Sequence, residues 1–208
     1  MRYGSGFAAA CLVCAVMLWA TQSGAAEVIV GSVLAVRGEV YRGDDGQRAP
    51  LAAKALVYLG DTIVSGGGKA KIALNDGTVI SVGENTRIRL TMYQSTSNNL
   101  TTRLNVLAGI VRLLVARVTA GGHFEIESET AIAAVRGTDW LMDVTADMTG
   151  VAVITGVVTV SGKNQLGATV VLDTPGHGTD VARGAAPTTP HAWGAQRFAK
   201  ALERASFE

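Results

Sequence analysis

The feature that most constrains this fold is a repeated pattern of short apolar segments separated by glycine. From about residue 28 to residue 183, segments rich in Val, Ile, Leu and Thr alternate with breaks that contain many of the 25 glycines. In one segment Ala70, Ile72 and Leu74 follow one another at a spacing of two, which places them on one side of a strand. The sequence therefore predicts an all-β body over this range.

Turn chemistry explains these glycines better than phosphate binding does. The triplet Asn75-Asp76-Gly77 supplies the positive-φ positions of a tight hairpin turn between two predicted strands. Further breaks lie at residues 65–68, 83–85, 121–122 and 162–164. No P-loop or dinucleotide fingerprint opens a helix in this sequence, so we predict no nucleotide cofactor.

Two segments are apolar on both faces, namely residues 110–118 and residues 151–160. Continuous apolar runs of this kind are typical of strands that are buried on both sides. A helix is the competing interpretation of residues 110–118. Their β-branched content and short length favour a strand.

The N-terminal segment predicts export. Arg2 is the only charged residue before Glu27, and an apolar stretch of about 14 residues begins at Phe7. Small residues follow it, so we predict a signal peptide over residues 1–26, with cleavage after Ala26 or, alternatively, after Ala25. An uncleaved anchor is the other interpretation, although the stretch is shorter than the roughly 20 residues that span a bilayer. We expect a periplasmic or secreted protein with no membrane span after cleavage.

Cysteine and charge content narrow the function classes. Cys11 and Cys14 both lie in the predicted signal peptide, so the mature chain has no disulfide and no thiol chemistry. Without Arg2 the chain keeps 17 of its 18 basic side chains against 17 acidic ones. There is no basic stripe, and we therefore expect no nucleic-acid partner.

The C-terminal tail, residues 186–208, differs from the β body at residues 27–185. We predict a linker followed by a helix over residues 191–206, with Thr189 as its N-cap and Pro190 in its first turn. Phe198, Leu202 and Ala205 fall on one helical face. This helix either packs over the end of the β body or docks a partner.

An ordered series of motifs points to a family. The motifs are G-D-T-I-V-S-G from Gly60, A-x-I-x-L-x-D-G-T from Ala70, L-A-G from Leu107, A-V-R-G-T-D-W from Ala134 and V-x-V-x-T-G-x-V-x-V from Val151. In order and spacing they resemble the FecR-type periplasmic domain over roughly residues 30–185. The structural signature of this resemblance falls on Gly60, Asp61, Asp76, Gly77, Arg136, Gly137, Thr138, Asp139 and Trp140.

The resemblance implies a β-solenoid or a twisted β-sheet or sandwich body in the bacterial envelope. Regulators of this family carry a cytoplasmic anti-sigma segment and a membrane span before the FecR domain. Only six residues precede the apolar stretch here, so we expect a stand-alone, exported form that lacks the anti-sigma segment. The resemblance gives Arg136 a structural role, and we expect its guanidinium to tie a strand turn, with Asp139 as one acceptor.

No motif in the sequence carries catalytic or metal-binding chemistry. His123, His177 and His191 stand far apart and have no cysteine partner, so we predict no metal site and no cofactor. Residues 44–46 and 75–77 lack the spacing of a calcium loop and are interpreted as turns. The sequence contains no G-x-S-x-G motif. We therefore predict no catalytic residue and no enzymatic activity.

Two features were weighed as possible sites. Glu125, Glu127 and Glu129 would point to one side of a strand, where a solvated charged face is a simpler interpretation than a carboxylate pair for catalysis. The polar segment at residues 94–99 is interpreted as an exposed loop. We predict a protein-binding or signalling module with an envelope protein as partner. The alternative is a structural envelope component that binds cell-wall polymer or self-associates.

Overall fold

The computed structural model describes residues 27–44, 46–96, 99–116, 123–163 and 168–207. The strands are β1 (Ile29–Arg37), β2 (Val40–Arg42), β3 (Ala49–Pro50), β4 (Leu56–Tyr58), β5 (Thr62–Ser65), β6 (Lys69–Leu74), β7 (Val79–Val82), β8 (Arg87–Thr96), β9 (Asn99–Leu114), β10 (His123–Glu127), β11 (Ala131–Val135), β12 (Asp139–Val144), β13 (Met148–Thr155), β14 (Val158–Gly162), β15 (Thr169–Leu172), β16 (His177–Ala182) and β17 (His191–Ala192). One helix, α1 (Ala195–Ala205), follows them. The predicted all-β body with a short C-terminal helix is confirmed, whereas the predicted signal peptide lies outside the described residues.

The strands form two open sheets, which we call layer A and layer B. Layer A has the order β4-β1-β6-β7-β9-β12-β13-β16-β17. Layer B has the order β3-β2-β5-β8-β9-β10-β11-β14-β15. Neighbouring strands are antiparallel except β9 and β10, which are parallel. Neither sheet closes into a barrel, and the solenoid that was one alternative is not confirmed.

The main hydrophobic core combines residues from both layers. Ile72 and Ile80 of layer A and Ile88, Leu104 and Phe124 of layer B all belong to it and are fully buried. Strands such as β6 bury every second residue, so the period of two in the sequence becomes a buried face. Burying each side chain of this size stabilises the fold by about 1.5–3 kcal/mol.

Strand β9 joins the two layers. Its residues 99–108 pair with β8 in layer B, and its residues 109–114 pair with β12 in layer A. The change occurs at Gly109, which has a φ of 89°. A Cβ atom at this position would lie 2.5 Å from the carbonyl oxygen of Asn85 and would overlap Thr86. Glycine is therefore required both by the backbone conformation and by the close approach of the neighbouring chain.

The two segments that are apolar on both faces have different outcomes. Residues 110–114 lie in β9, which confirms the strand interpretation for them. Residues 151–160 do not form one strand, because the chain leaves layer A after β13 and enters layer B at β14. Gly156, with a φ of 95°, lies between the two strands. The sequence alone shows no interruption there beyond this one glycine.

The C-terminal helix begins later than predicted. It covers Ala195–Ala205, its N-cap residue is Gly194, and Thr189 does not cap it. The expected first turn is instead the short strand β17, which pairs His191 and Ala192 with β16. The backbone N–H of Trp193 donates to the carbonyl of Gly176 at 3.1 Å, and the indole is buried. Burial of this indole against the sheet holds the chain extended until Gly194.

The polar segment at residues 94–99 forms the end of the β8–β9 hairpin, in which Thr96 pairs with Asn99. Residues 97 and 98 lie outside the described part. Within the described ranges, no helix is long and apolar enough to cross a membrane.

Candidate binding surfaces

Asp61 of the predicted signature caps backbone groups at one edge of layer A. Its carboxylate accepts the backbone N–H of Tyr58 at 2.8 Å and pairs with the guanidinium of Arg42 at 3.1 Å. That guanidinium also donates to the carbonyl of Leu56 and lies 5.2 Å from the ring centroid of Tyr58. The carbonyl of Ala55 accepts the N–H of Val33, and the N–H of Leu59 donates to the carbonyl of Val28, so these two backbone groups point toward β1 and its N-terminal extension. Asp61 and Arg42 therefore cover the outward-pointing backbone groups of β4.

Asp76 and Gly77 form the hairpin turn that the sequence predicts. The Asp76 carboxylate accepts the backbone N–H of Thr78 and its hydroxyl, both at 3.0 Å. Gly77 has a φ of 86°, which glycine adopts at little cost. These carboxylate oxygens are used within the turn, as an Asx-type turn requires. Of the other candidate turn, residues 44–46, the central Asp45 lies outside the described residues.

The segment Arg136–Trp140 is built into the body at every position except its first. The Thr138 hydroxyl donates to the carbonyl of Val157 at 2.9 Å, which ties together the turns that precede β12 and β14. The Asp139 carboxylate accepts two hydrogen bonds from the Arg112 guanidinium, at 3.0 and 2.7 Å. Trp140 is fully buried in the core.

The prediction that Asp139 accepts a hydrogen bond from Arg136 is wrong. The structure pairs Asp139 with Arg112, which lies two residues along β9 from Leu114, the direct cross-strand neighbour of Asp139. Arg136 is exposed in the turn between β11 and β12. The three-residue separation of Arg136 and Asp139 suggested a local contact, whereas the pairing of β9 with β12 joins residues 27 positions apart. The structural role of Arg136 stays a prediction.

Comparison with known proteins identifies the central part of the β body. Residues 61–159 match the family model described as FecR protein. This segment is a FecR domain. The resemblance stated from the motifs is thereby confirmed, and the signature residues from Asp61 to Trp140 all fall within the matched range. No curated protein matches the chain significantly.

Solved structures share the fold of the FecR domain. Two crystal structures of a candidate anti-sigma factor from Parabacteroides distasonis ATCC 8503 align with a TM-score of 0.53 and 22% sequence identity. The alignment covers 67% of this chain and 62% of that protein. This chain therefore spans about three fifths of the length of the solved relatives, and the likeness concerns the fold.

The glutamates of β10 lie on the outer face of layer B, where they are neutralised by basic residues. Arg103 on the adjacent strand pairs with Glu125 at 2.8 Å and with Glu127 at 3.0 Å. Lys163 approaches Glu127 at 3.6 Å. Glu129 lies beyond the end of β10 and pairs with Arg183. The charged-face interpretation is confirmed for the two glutamates in the strand.

Histidines and acidic residues do not converge in the described ranges of the FecR domain and tail. No group of three or more His, Cys, Asp or Glu side chains in those ranges could hold a metal ion. His177 begins β16 and His191 begins β17, and these strands are neighbours. His191 lies 3.9 Å from Asp180, but that carboxylate is bound bidentately by Arg197 at 2.8 and 2.5 Å.

The outer face of layer B is open and carries most of the positive charge of β8 and β9. Arg89 is exposed, and the guanidinium of Arg103 lies on the same face. A shallow depression of about 480 Å³ borders this face and is lined by Arg42, Gly43, Asp44, Gln47, Ala49, Gly60, Asp61, Thr62 and Arg89. A second depression of about 340 Å³ lies on the other side of Arg89, beside Leu59 and Leu107. Arginine is enriched in protein-binding surfaces, and Arg89 stands here beside exposed apolar side chains.

The outer face of layer A is partly covered by α1, which confirms that the helix packs on the β body. Ile110, Leu141 and Ala152 of the sheet form a small second core with Trp193 and with Ala201 and Ala205 of the helix. Cationic contacts fix its two ends: Arg197 binds Asp180, Arg204 binds Asp143 at 2.6 Å, and Lys69 donates to the carbonyls of Glu203 and Ser206.

The N-terminal end of α1 is held by Arg197. The hydrogen bond to Asp180 raises the pKa of Arg197 above its ordinary value, although partial burial opposes this shift. The same guanidinium lies 3.9 Å from the ring centroid of Trp193. At the other end of the helix, a groove of about 370 Å³ contains Leu114 and the Arg112–Asp139 pair. The sequence predicted Asp139 as a signature residue but gave no sign of this groove.

Proposed function

We propose that this chain is an exported, non-enzymatic FecR-domain protein that binds another envelope protein and acts as a signalling module. The proposed organisation is a signal peptide at residues 1–26, a β domain at residues 27–185, and a linker and helix at residues 186–208. The FecR match and the fold shared with a candidate anti-sigma factor support a regulatory role. The periplasm is the location that FecR membership favours.

The observation that carries the binding role is the open outer face of layer B. It presents Arg89 between two shallow depressions, with exposed Leu59 and Leu107 beside them. The arginine–glutamate ladder at Arg103 holds neighbouring charged side chains in place. A partner with acidic side chains around an apolar centre is complementary to this face.

The absence of catalysis is proposed because the candidate acidic groups are already engaged. Glu125 and Glu127 share the guanidinium of Arg103, Asp139 is bound by Arg112, and Asp180 is bound by Arg197. A carboxylate that acts as a general acid has to reach a substrate in a cleft, whereas the oxygens of these carboxylates are already bound by guanidinium groups. These side chains therefore serve structure and surface charge.

Site-specific photo-cross-linking in cells tests the proposal. A benzoyl-phenylalanine at position 89 samples the open face, and the same group at Gln196, on the exposed side of α1, is the matched control. We expect one dominant adduct with an envelope protein from position 89 and none from position 196. N-terminal sequencing of the mature form of this chain is expected to begin after Ala26 or Ala25, and a chain that still begins at Met1 would contradict export with cleavage.

The alternative is a structural component that binds cell-wall polymer or associates with itself. Cross-links only to cell-wall material from position 89 would favour that role and contradict a signalling partner. One specific observation favours self-association, because one edge strand of layer B is not covered within the described residues.

A further inference from the structure

The two sheets have four edges, and three of them are protected against pairing with other strands. Strand β3 has two residues and contains Pro50, and β17 also has two residues and follows Pro190. The outward backbone groups of β4 are covered by Asp61 and Arg42, as described above. Short length, proline and side-chain capping are the usual means by which proteins prevent edge-to-edge association.

Strand β15 has none of these protections. It has four residues, Thr169–Leu172, with neither a charge nor a proline among them. It pairs with β14 on one side, and its other side has no backbone partner among the described residues. The Val171 side chain is 51% exposed, a high value for a valine in a regular strand. An uncharged edge of this kind favours an added strand.

Hydrogen-bond alternation determines which backbone groups of β15 point outward. The N–H of Lys163 donates to the carbonyl of Thr130, so alternate residues of β14, including Ser161 and Thr159, bond to β11. The intervening residues of β14 then bond to β15, where they face Val170 and Leu172. The N–H and C=O groups of Thr169 and Val171 are left pointing away from the sheet.

We propose that β15 pairs with β15 of a second copy of this chain, antiparallel across a two-fold axis at Val171. In this register Val171 lies opposite Val171 of the second copy, and both outward groups of each are paired. Val170, which packs against the core, then lies opposite Leu172, which is buried in it. The core-facing sides of the two copies consequently lie on the same side of the joined sheet.

The charge of β15 and its self-complementarity favour a second copy of this chain as the occupant. The edge is uncharged, so a charged partner segment would gain no ion pair there and would lose hydration. The proposed register places Thr169 opposite Asp173, so no like charges face each other. A two-fold interface requires a surface that complements itself, and β15 meets this condition in both its backbone groups and its β-branched side chains.

Single-cysteine cross-linking tests both the dimer and its register in the exported protein. In a chain with Cys11 and Cys14 replaced by serine, Val171→Cys places two thiols at the axis, within the distance that a disulfide bridges. Thr169→Cys is the matched control, because its two copies lie four residues apart along the paired strands. We expect oxidation to give a covalent dimer with Val171→Cys and monomer with Thr169→Cys. Monomer from both, or equal dimer from both, would overturn the proposal.

A second measurement uses no cysteine. We expect sedimentation velocity to show a concentration-dependent dimer of the unsubstituted protein. Val171→Lys opposes two ammonium groups at the axis and should weaken dimerisation at least tenfold. Val157→Lys changes a similarly exposed valine, 47% accessible, in the turn between β13 and β14. This control substitution should leave the dimerisation constant unchanged. A monomer at all concentrations, or equal effects of both substitutions, would contradict the pairing. Neither result bears on cross-linking at position 89, because Arg89 lies in β8 on the open face.

Discussion

Substitution of Gly109 by alanine tests how the two layers are joined. The residue lies where β9 leaves layer B and enters layer A, and it has a φ of 89°. An alanine there adopts an unfavourable left-handed conformation, which costs about 1–2 kcal/mol. Its Cβ also lies 2.5 Å from the carbonyl oxygen of Asn85, within van der Waals overlap. Both effects should destabilise the fold.

The size of the effect follows from these two terms. Forcing an extra carbon into a packed site costs about 1–3 kcal/mol, so Gly109→Ala should lower the free energy of unfolding by about 2–5 kcal/mol. In a protein of this size 1 kcal/mol shifts the melting temperature by about 2–4 °C. The expected shift in melting temperature is therefore roughly 10 °C. The corresponding loss of free energy is a large part of the roughly 5–15 kcal/mol that stabilises an ordinary domain.

Two other glycines separate the contribution of backbone strain from that of van der Waals overlap. Gly77 has a φ of 86°, and among the described residues a Cβ there meets only the Ala116 side chain, at 3.7 Å, so Gly77→Ala reports mainly backbone strain. Gly31 has no positive φ, but a Cβ there overlaps the carbonyl oxygen of Ala73, so Gly31→Ala reports overlap alone. Urea unfolding of the three variants should rank Gly109→Ala as the most destabilised. A loss at Gly109 no larger than at Gly77 would refute the reasoning.

Two further predictions concern ionisable groups. Arg112→Ala, which leaves Asp139 without its bidentate partner, should lower the free energy of unfolding by about 1 kcal/mol. Arg136→Ala, at an exposed turn position, should lower it by a smaller but measurable amount, about 0.5 kcal/mol; equal losses in urea unfolding would contradict this order. Burial, with a smaller contribution from Asp76, raises the pKa of Tyr93 above its ordinary value of 10.0. The unfolded chain therefore releases this proton first, and stability is lost as the pH rises above about 10. Tyr93→Phe should lose less stability between pH 9 and 11 than the unsubstituted protein, and identical alkaline profiles would exclude this contribution.

Local patterns in the sequence predicted the elements that depend on neighbouring residues. The alternation at Ala70, Ile72 and Leu74 became the buried face of β6, and Asp76 with Gly77 became the turn that follows it. These predictions succeeded because side-chain alternation and turn chemistry act over two to four residues. The order of the FecR motifs was equally accessible, since it needs no three-dimensional information.

The partners of individual side chains were less predictable. Asp139 was expected to meet Arg136, and the structure gives it Arg112. The helix was expected from residue 191, but packing of Trp193 against the sheet delays it to Ala195. In each case a contact between distant parts of the chain outweighed a local preference, and local preferences are worth only tenths of a kcal/mol to about 1 kcal/mol.

The sequence by itself determined that this chain forms short strands, where most of them turn, and that their motifs resemble a FecR domain, which the match over residues 61–159 confirms. Only the tertiary structure decided which strands lie side by side, that Gly109 carries β9 from one layer to the other, and which faces stay open. Strand pairing joins residues far apart in the chain, and no period or motif records the register between them. For the same reason the open face at Arg89 and the edge at Val171, which has no backbone partner among the described residues, are properties of the folded sheets, although each of these residues looks ordinary in the sequence.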